Sequence, residues 1–225
     1  MKSLIIASPC ICRSEIHNIC FTILVDILAP IATHVHFIIN IDPCTGNSGE
    51  TQLETSNNLK VLFDKYKMSF EIHLGDKGCF FTASKTILNR TKTIINEKGE
   101  NNSAVLWFED DKRFNRYPDF KKYLEQSDEY VEHFWRGSAG CPTFHPCLWS
   151  GHMALQYLIP SVVNEEISYD PELLMMTYWR KNFKKDIKLH HHLGCSVDIG
   201  RQWQKQNNIK KWIRENVKNK AVTYD

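Results

Sequence analysis

The chain has 225 residues and a formal net charge of +2, so bulk electrostatics give no reason to expect a nucleic-acid-binding protein. Apolar residues make up 42% and charged residues 24% of the chain, which excludes disordered and collagen-like classes and fits a globular protein with a sizeable core. The apolar segment Ile19–Ile31 is short for a membrane span and contains Asp26, so we expect no transmembrane helix.

Eight cysteines are scattered along the chain, several of them within strand-like or helix-like runs. They lack the dense, regular spacing of a small disulfide-bonded secreted domain. We therefore predict a reducing, intracellular compartment, the cytoplasm.

The first half alternates β-branched apolar runs with segments of helical periodicity. Ser14 is the predicted N-cap of the first helix, and Pro9 and Pro43 interrupt or end the first two strands. In chain order the predicted elements are a strand at 3–12, a helix from 14 to about 32, a strand at 34–43, a helix at 54–66, a strand at 68–75, a helix at about 80–97 and a strand at 103–109.

Four strands separated by helices predict an α/β fold with a mostly parallel sheet that is covered on both faces. Ligands bind to such sheets at the carboxyl ends of the strands. The polar loops of the first half fall at these ends, at residues 9–13, 42–43, 75–78 and 109–111.

The second half, from about residue 117, is less regular. Segment 132–153 is rich in Gly, Pro and aromatic residues, which indicates loops and short strands packed over the crevice. Asp170 followed by Pro171 predicts the start of a helix over 170–183. A strand at 186–194 and a basic C-terminal helix at 198–220 complete the chain.

The fourth predicted strand ends abruptly in three acids, Glu109, Asp110 and Asp111. Adjacent like charges at the end of a buried strand repel one another unless a cation, a basic side chain or solvent relieves them. A solvated turn is the simplest explanation, but carboxylates on a tight turn also suit Mg²⁺ or Mn²⁺, which bind substrate phosphates as well. Strand alternation in the run 190–192 places His190 and His192 on one face, which makes His192 a further candidate ligand.

This series of strands and helices, with an acid cluster after the fourth strand, resembles the GT-A class of nucleotide-sugar glycosyltransferases over residues 3–112 and 186–200. The chain is also similar in size and layout to the small chlorovirus capsid glycosyltransferase domain. The resemblance implies a single Rossmann-like domain over 1–225, with a nucleotide-binding half at 1–112 and an acceptor and metal half at 113–225. For a viral protein, the compartment would be the host cytoplasm.

The resemblance also implies roles for individual residues. A DxD-type motif in this class holds a divalent ion, Mn²⁺ or Mg²⁺, against the donor diphosphate, and "EDD" at 109–111 looks like a variant of it. Asp111 would bind the metal together with His192, while Glu109 or Asp110 would face the metal-bound water or the donor ribose. The donor, a UDP-sugar, would also contact the loop of Ser8, Pro9 and Arg13, the acid Asp42, and, through its phosphates, Arg201.

An inverting transfer to a hydroxyl acceptor on a glycan or a protein needs a carboxylate base. The candidates are Glu165, Glu166, Asp170 and Glu172, and we favour Asp170 and Glu172 because a helix N-terminus keeps a carboxylate ionised. Asp170 is also a strong candidate for a simple helix cap. The aromatic and Gly-rich segments 135–138 and 144–146 could form a platform for the sugar and the acceptor, or a buried aromatic cluster.

Other classes of protein remain open from the sequence. Acids with Mg²⁺ on an α/β sheet also occur in nucleotidyltransferases and nucleases. A zinc-binding, non-catalytic protein would use soft ligands, although their spacings match no standard zinc finger or ribbon. These candidate zinc ligands are Cys10, Cys12, Cys141, His145, Cys147 and His152.

Overall fold

The computed structural model describes residues 1–76, 78–127, 129–135, 141–166, 169–183 and 189–208. The strands are β1 (Ser3–Ile11), β2 (Val35–Asp42), β3 (Ser69–Leu74), β4 (Ser103–Trp107), β5 (Lys112–Phe114), β6 (Val131–His133), β7 (Cys147–Ser150), β8 (Leu189–His191) and β9 (Ser196–Asp198). Seven of them form a central sheet in the order β3-β2-β1-β4-β7-β6-β8, and β5 pairs with β9 in a separate ribbon.

The central sheet is mostly parallel. β1 lies between β2 and β4 and is parallel to both, and β3 is parallel to β2. β7 is antiparallel to both β4 and β6, and β8 is parallel to β6. The predicted parallel arrangement of the first half is therefore confirmed, and strands of the second half extend the same sheet.

The helices lie on both faces of this sheet. They are α1 (Ser14–Leu28), α2 (Gln52–Lys65), α3 (Phe80–Lys98), α4 (Phe120–Glu125), α5 (Gly151–Met153), α6 (Pro160–Val163), α7 (Pro171–Asn182) and α8 (Gly200–Gln206). A π-helical turn, Ala154–Leu158, joins α5 to α6, and short 3-10 helices follow α1, β2 and α3.

Two apolar cores, one on each face of the sheet, hold the helices against it in a three-layer arrangement of helices, sheet and helices. One core packs Phe21 of α1 and Phe63 of α2 against the even-numbered residues of β1, such as Leu4. The other packs Ile87 of α3 and Trp179 of α7 against the opposite face of the same strands. A strand that is covered on both faces must be apolar at every position, which is why these runs show no alternation.

The sequence predicted N-cap residues for two helices, α1 and α7, and one of the two predictions is confirmed. Asp170 is the N-cap of α7, as predicted, and its carboxylate accepts from the N–H groups of Glu172 and Leu173 at 3.0 and 3.3 Å. The prediction for Ser14 is wrong, because Arg13 takes the N-cap position and Ser14 is the first helical residue. The Ser14 hydroxyl instead donates to Glu50, since the chain before α2 lies alongside this turn.

The second half differs from its prediction in part. Residues 151–163 are helical apart from Ile159, and the short strands β5 and β9 were not predicted. The predicted strand at 186–194 is realised as β8, and the predicted C-terminal helix as α8. Residues 186–188 of that strand and 209–220 of that helix lie outside the described residues.

One helical stretch in the described part of the chain, Ser14–His34, is long and apolar enough to cross a membrane by length and composition. It is longer than the apolar segment seen in the sequence because the 3-10 turn after α1 continues it. Phe21, Leu24 and Leu28 are fully buried in the core, as in an ordinary core helix. This packing is consistent with the absence of a membrane span.

Candidate functional site

The predicted crevice lies where β1 and β4 separate. Their ladder ends at the pair Ala7 and Trp107, and the N–H of Phe108 still donates to the Ala7 carbonyl at 3.0 Å. The hydrogen-bonding groups of successive residues point to opposite edges of a strand. The nitrogen of Pro9 therefore points to the same edge as the Ala7 carbonyl, toward β4. Proline has no N–H, and the ladder cannot continue there. The acidic turn, residues 109–111, begins at this opening.

Asp110 turns into the interior and is 3% exposed. Its Oδ2 accepts from the Ile11 N–H at 3.1 Å and from Arg13 Nε at 3.0 Å, and it lies 2.7 Å from His17 Nε2. Its Oδ1 accepts from a second nitrogen of Arg13, so the guanidinium is bound in a bidentate manner. Burial alone would raise the pKa of Asp110, but the charge of Arg13 and the contact with His17 hold it well below the usual range.

Glu109 and Asp111 meet at Lys112, and Asp111 Oδ2 also lies 3.3 Å from the Arg13 guanidinium. Lys112 Nζ lies 2.6 Å from Asp111 Oδ1, 3.1 Å from Glu109 Oε2 and 3.6 Å from Asp198 Oδ2. Burial opposes the charge on this ammonium, yet the three carboxylates together raise the pKa of Lys112 above its ordinary value. The same Lys112 charge, assisted by Arg13, outweighs burial and lowers the pKa of Asp111.

The segment from β9 to α8 covers Asp111. The Ile199 N–H donates to the Asp111 carbonyl at 3.0 Å, and β9 pairs with β5 next to it. A Cβ on Gly200 would lie 2.3 Å from Asp111 Oδ2, so glycine is required for this close approach. The end of the first half and the start of α8 therefore form one site.

A groove of about 510 Å³ adjoins this site and shares Asp198 with it. Arg201 is largely exposed, and its Nε lies 3.3 Å from Asp198 Oδ2. Lys205 adds a second positive charge to the lining. The predicted phosphate contact Arg201 is thus next to the acidic turn, with its guanidinium accessible to solvent.

The predicted nucleotide-binding loop is close to the acidic turn but is buried. Ser8 is 0% exposed, Pro9 is buried, and Arg13 is 5% exposed and engaged with Asp110 and Asp111. Of the three, Arg13 anchors the acidic turn, because its guanidinium pairs with both Asp110 and Asp111.

Asp42 lies at the carboxyl end of β2 and is 2% exposed. It accepts from Asn40 Nδ2 at 2.9 Å and from the Cys79 N–H at 3.1 Å. Burial raises the pKa of Asp42 to about 7, although both hydrogen bonds oppose the rise. A Cβ on Gly75 would lie 2.7 Å from Asp42 Oδ1, so the loop after β3 closes directly over this carboxyl.

The two candidate bases differ in their surroundings. Asp170 is buried and serves as the cap of α7. Glu172 is half-buried, and burial, followed by the charge of Glu109, raises its pKa. An electrostatic effect of this kind means that Glu172 lies within range of the charge of Glu109.

The predicted platform is divided between core and crevice. Phe144 is 1% exposed and packs on Trp107 with ring centroids 4.3 Å apart. His145 Nδ1 lies 3.3 Å from Glu109 Oε2, and its ring packs on Trp135 at 4.5 Å. Residues 136–138 of the platform lie outside the described residues.

His192 is in a different cluster from the acidic turn. Its Nε2 lies 2.6 Å from Glu132 Oε2 and 3.3 Å from the Tyr123 hydroxyl. His190 Nδ1 lies 2.9 Å from the other oxygen of Glu132, which confirms that the two histidines share a face. Glu132 is 2% exposed. The structure thus pairs His192 with a buried glutamate and not with Asp111.

The carboxylates of Glu109, Asp111 and Asp198 offer the oxygen donors that Mg²⁺ and Mn²⁺ prefer, but they surround the Lys112 ammonium and form no close group of three donors in the described residues. Another group, Cys10, His17 and Asp110, has donor atoms within 4.8 Å of one another. It fits a metal poorly, because Asp110 already accepts from Arg13 and burial raises the Cys10 pKa well above the usual value. A metal needs the thiolate.

The candidate zinc ligands of the second half do not meet. His145 contacts Glu109, His152 contacts Glu100 and Glu129, and Cys147 is fully buried. Within the described ranges they form no group of three donors. This arrangement gives the zinc-binding alternative no support.

Sequence reasoning missed Lys112 and Asp198. Lys112 follows the acids directly, so an adjacent cation was visible as "EDDK". Asp198 ends the three-residue strand β9, a run too short to give a recognisable signal in the sequence. No pattern in the sequence around Glu132 indicates that it pairs with His190 and His192.

Searches with models of protein families and with curated protein sequences find no match to this chain.

Proposed function

We propose that the protein is a GT-A-type glycosyltransferase of the hexosyltransferase kind. It would move a sugar from a nucleotide-sugar donor, a UDP-sugar, to a hydroxyl of a glycan or protein acceptor, with inversion. The observation that carries the proposal is the division of the acidic turn. Asp110 is bound in a bidentate manner by Arg13, while Glu109 and Asp111 converge on Lys112 at the carboxyl end of β4, where ligands of parallel sheets bind; Asp111 also lies 3.3 Å from Arg13.

Sugar transfer requires positive charge near the leaving diphosphate. Glu109 and Asp111, with Asp198 beside them, would hold Mn²⁺ or Mg²⁺, and the bound ion neutralises the charge that develops on the diphosphate. Arg201 and Lys205 line the adjoining groove and supply further positive charge for phosphate oxygens. Arg13 contributes indirectly, because it fixes the backbone of the turn through Asp110.

The acceptor hydroxyl must lose its proton as it attacks. Glu172 suits this role better than Asp170, since its pKa is raised and a more basic carboxylate accepts a proton more readily. Asp170 would act as a positioning residue, because its carboxylate caps α7 and so orients the turn that carries Glu172.

A thermal-shift panel with UDP-, GDP- and dTDP-sugars, each with and without Mn²⁺, tests the proposal. A ligand that binds only the folded state raises the melting temperature by mass action. We expect one donor class to stabilise the protein more with Mn²⁺ than without it. Asp111→Ala should remove the metal-dependent part, whereas Asp64→Ala, an exposed change on α2, should keep it.

The absence of any shift with all donors would overturn the proposal, and an unchanged response in Asp111→Ala would remove Asp111 from the site. Product analysis then separates the nucleotidyltransferase alternative. A glycosyltransferase releases a nucleoside diphosphate, whereas a nucleotidyltransferase releases pyrophosphate.

A further inference from the structure

The two edges of the central sheet differ in how well they are protected. Among the described residues, the outermost strands are β3 and β8. β8 has only three residues, and a short strand is one of the ways in which proteins blunt a sheet edge. β3 has six residues, contains neither Pro nor Lys, and pairs with β2 along its whole length without a bulge. β3 therefore presents a regular edge on which another strand can pair.

The backbone groups on the outer edge of β3 belong to every second residue. The Gly75 N–H donates to the Ile41 carbonyl of β2 at 2.9 Å, so Gly75 points toward β2. The hydrogen-bonding groups of successive residues point to opposite edges of a strand, so Glu71 and His73 also point toward β2. The residues whose N–H and C=O groups face outward are therefore Phe70, Ile72 and Leu74.

The side chains of β3 are apolar on one face of the sheet and polar on the other. Phe70 and Ile72 pack against the core that contains α1 and α2, and Leu74 on the same face is 50% exposed. Glu71 and His73 lie on the opposite face, and Nε2 of His73 is 3.8 Å from Glu71 Oε1. The polar face of the edge thus carries one acid and one imidazole at neighbouring positions.

This pattern is self-complementary when β3 pairs antiparallel with β3 of a second copy. A twofold axis at Ile72 places Ile72 opposite its own copy and Phe70 opposite Leu74. These residues all face outward, and in an antiparallel ladder each such pair exchanges both of its N–H···O bonds. The apolar side chains of the two copies then meet on one face of the joined sheet, where they cover Leu74.

The same register brings acid and imidazole together on the other face. Glu71 of each copy lies opposite His73 of the other, in the non-hydrogen-bonded positions where side chains are closest, and an imidazole N–H can donate to a carboxylate. An axis at Glu71 or at His73 would place identical polar side chains opposite each other. An axis between two residues would place inward-pointing backbone groups opposite outward-pointing ones, and an axis nearer either end would pair fewer residues.

We propose that β3 is the interface of a homodimer, in which the edges of two copies pair antiparallel about a twofold axis at Ile72. The central sheet then continues from one copy into the other. Arg90 of α3 donates through Nε to both oxygens of Glu71 at 2.8 and 3.0 Å, so this carboxylate is already held on the polar face. The inference goes beyond the proposed sugar transfer and does not depend on it.

Sedimentation velocity of the full chain over a range of concentrations tests the inference, and we expect a monomer–dimer equilibrium. His73→Glu places a carboxylate opposite Glu71 and should weaken dimerisation at least about tenfold, because like charges directly opposite each other destabilise a strand pair. Lys121→Gln lowers the net charge by the same amount on exposed α4, and this control should dimerise as the wild type does.

Leu74→Pro tests the backbone part of the interface. Proline removes an outward N–H that β2 does not use, so the ladder within each copy is kept while the pair with Phe70 of the second copy is lost. We again expect dimerisation to weaken at least about tenfold. If this variant does not fold, His73→Glu still decides, because it changes only a partly exposed side chain. A dimer of wild-type affinity in the folded variants would overturn the inference, since another surface would then join the copies.

Hydrogen exchange tests the register. The amides that should exchange more slowly in concentrated than in dilute solution are those of Phe70, Ile72 and Leu74. The amides of Glu71 and His73 should be protected by β2 at both concentrations. Equal protection of the outward amides at every concentration would overturn the inference, because another part of the chain would then cover the edge.

A wild type that stays monomeric up to about 1 mM would also overturn the inference. That result would leave any thermal shift with a nucleotide sugar unchanged. A dimer that responds to no nucleotide sugar would keep the inference and reject the transferase, so the two proposals fail separately.

Discussion

Asp110 and Asp42 lie at the carboxyl ends of the two strands that flank β1, and both are almost fully buried. Their pKa values nevertheless move in opposite directions. Asp110 faces the guanidinium of Arg13, and its pKa is lowered in spite of burial. Asp42 has only neutral donors, and burial raises its pKa to about 7. The partner, and not the depth, decides whether a buried carboxyl is charged.

The largest expected effect is at Asp110. Asp110→Asn leaves the buried Arg13 without its main charged partner, and removal of one member of a buried ion pair costs about 3–5 kcal/mol. We expect a loss of this size in the free energy of unfolding from urea denaturation at pH 7. Glu125→Gln breaks an exposed pair and should change little. A loss similar to that of the control would show that Asp111 can replace Asp110 as the partner of Arg13.

A smaller effect is expected from the glycines that touch the acids. Gly200→Ala would place a Cβ 2.6 Å from Asp111 Cβ, and Asp111 is held by Lys112 and Arg13, so the segment β9–α8 must shift. Overpacking of this kind costs about 1–3 kcal/mol. The exposed change Gln202→Ala on the same helix is the control.

Gly75→Ala sharpens the comparison of the two acids. Its Cβ would lie 2.7 Å from Asp42 Oδ1 and 3.1 Å from Asn40 Nδ2, both at the ends of side chains, and no ion pair is seen at that carboxyl in the described residues. We expect a smaller loss than for Gly200→Ala in the same denaturation experiment. The reverse order would contradict the view that ion pairs make the acidic turn the more rigid of the two regions.

The smallest effect at neutral pH is expected from Asp42→Asn, and its signature is the pH dependence. The folded state binds the Asp42 proton more tightly than the unfolded chain does, so the stability contributed by this carboxyl falls as pH rises from about 4 to 7. Asp110 has the opposite sign, because its contribution is lost as pH falls below about 4.

Urea denaturation at several pH values between 4 and 8 separates the two acids. Asp42→Asn should remove the decline toward neutral pH that is seen in the wild type. If the slopes of the two proteins coincide between pH 4 and 7, Asp42 is not protonated in the folded state.

The first half of the fold could be predicted from the sequence because β1, β2 and β4 are largely apolar runs, β3 alternates polar and apolar residues, and each intervening helix is periodic. The acids after β4 were also visible, since charge directly after a buried run is a local signal. The second half was less accessible. The strands β6 and β9 are only three residues long, and a run of that length carries no periodicity.

The contacts of the site could not be predicted because they join distant residues. Asp110 and Arg13 are 97 residues apart, and Glu132 and His192 are 60 apart. Strand alternation correctly placed His190 and His192 on one face, but nothing in the sequence indicated which carboxylate they would meet. Burial and partner choice are tertiary properties, and a single sequence does not reveal them.

The pairing of Arg13 with Asp110 also affects how the chain can fold during its synthesis on the ribosome. The turn before α1 is synthesised long before its counter-charge, and Gly200, which closes over Asp111, emerges last of the three. Contacts of such large sequence separation form late and slow the search for the native state. A nascent chain therefore exposes an uncompensated guanidinium until Asp110, near the middle of the 225-residue chain, has emerged.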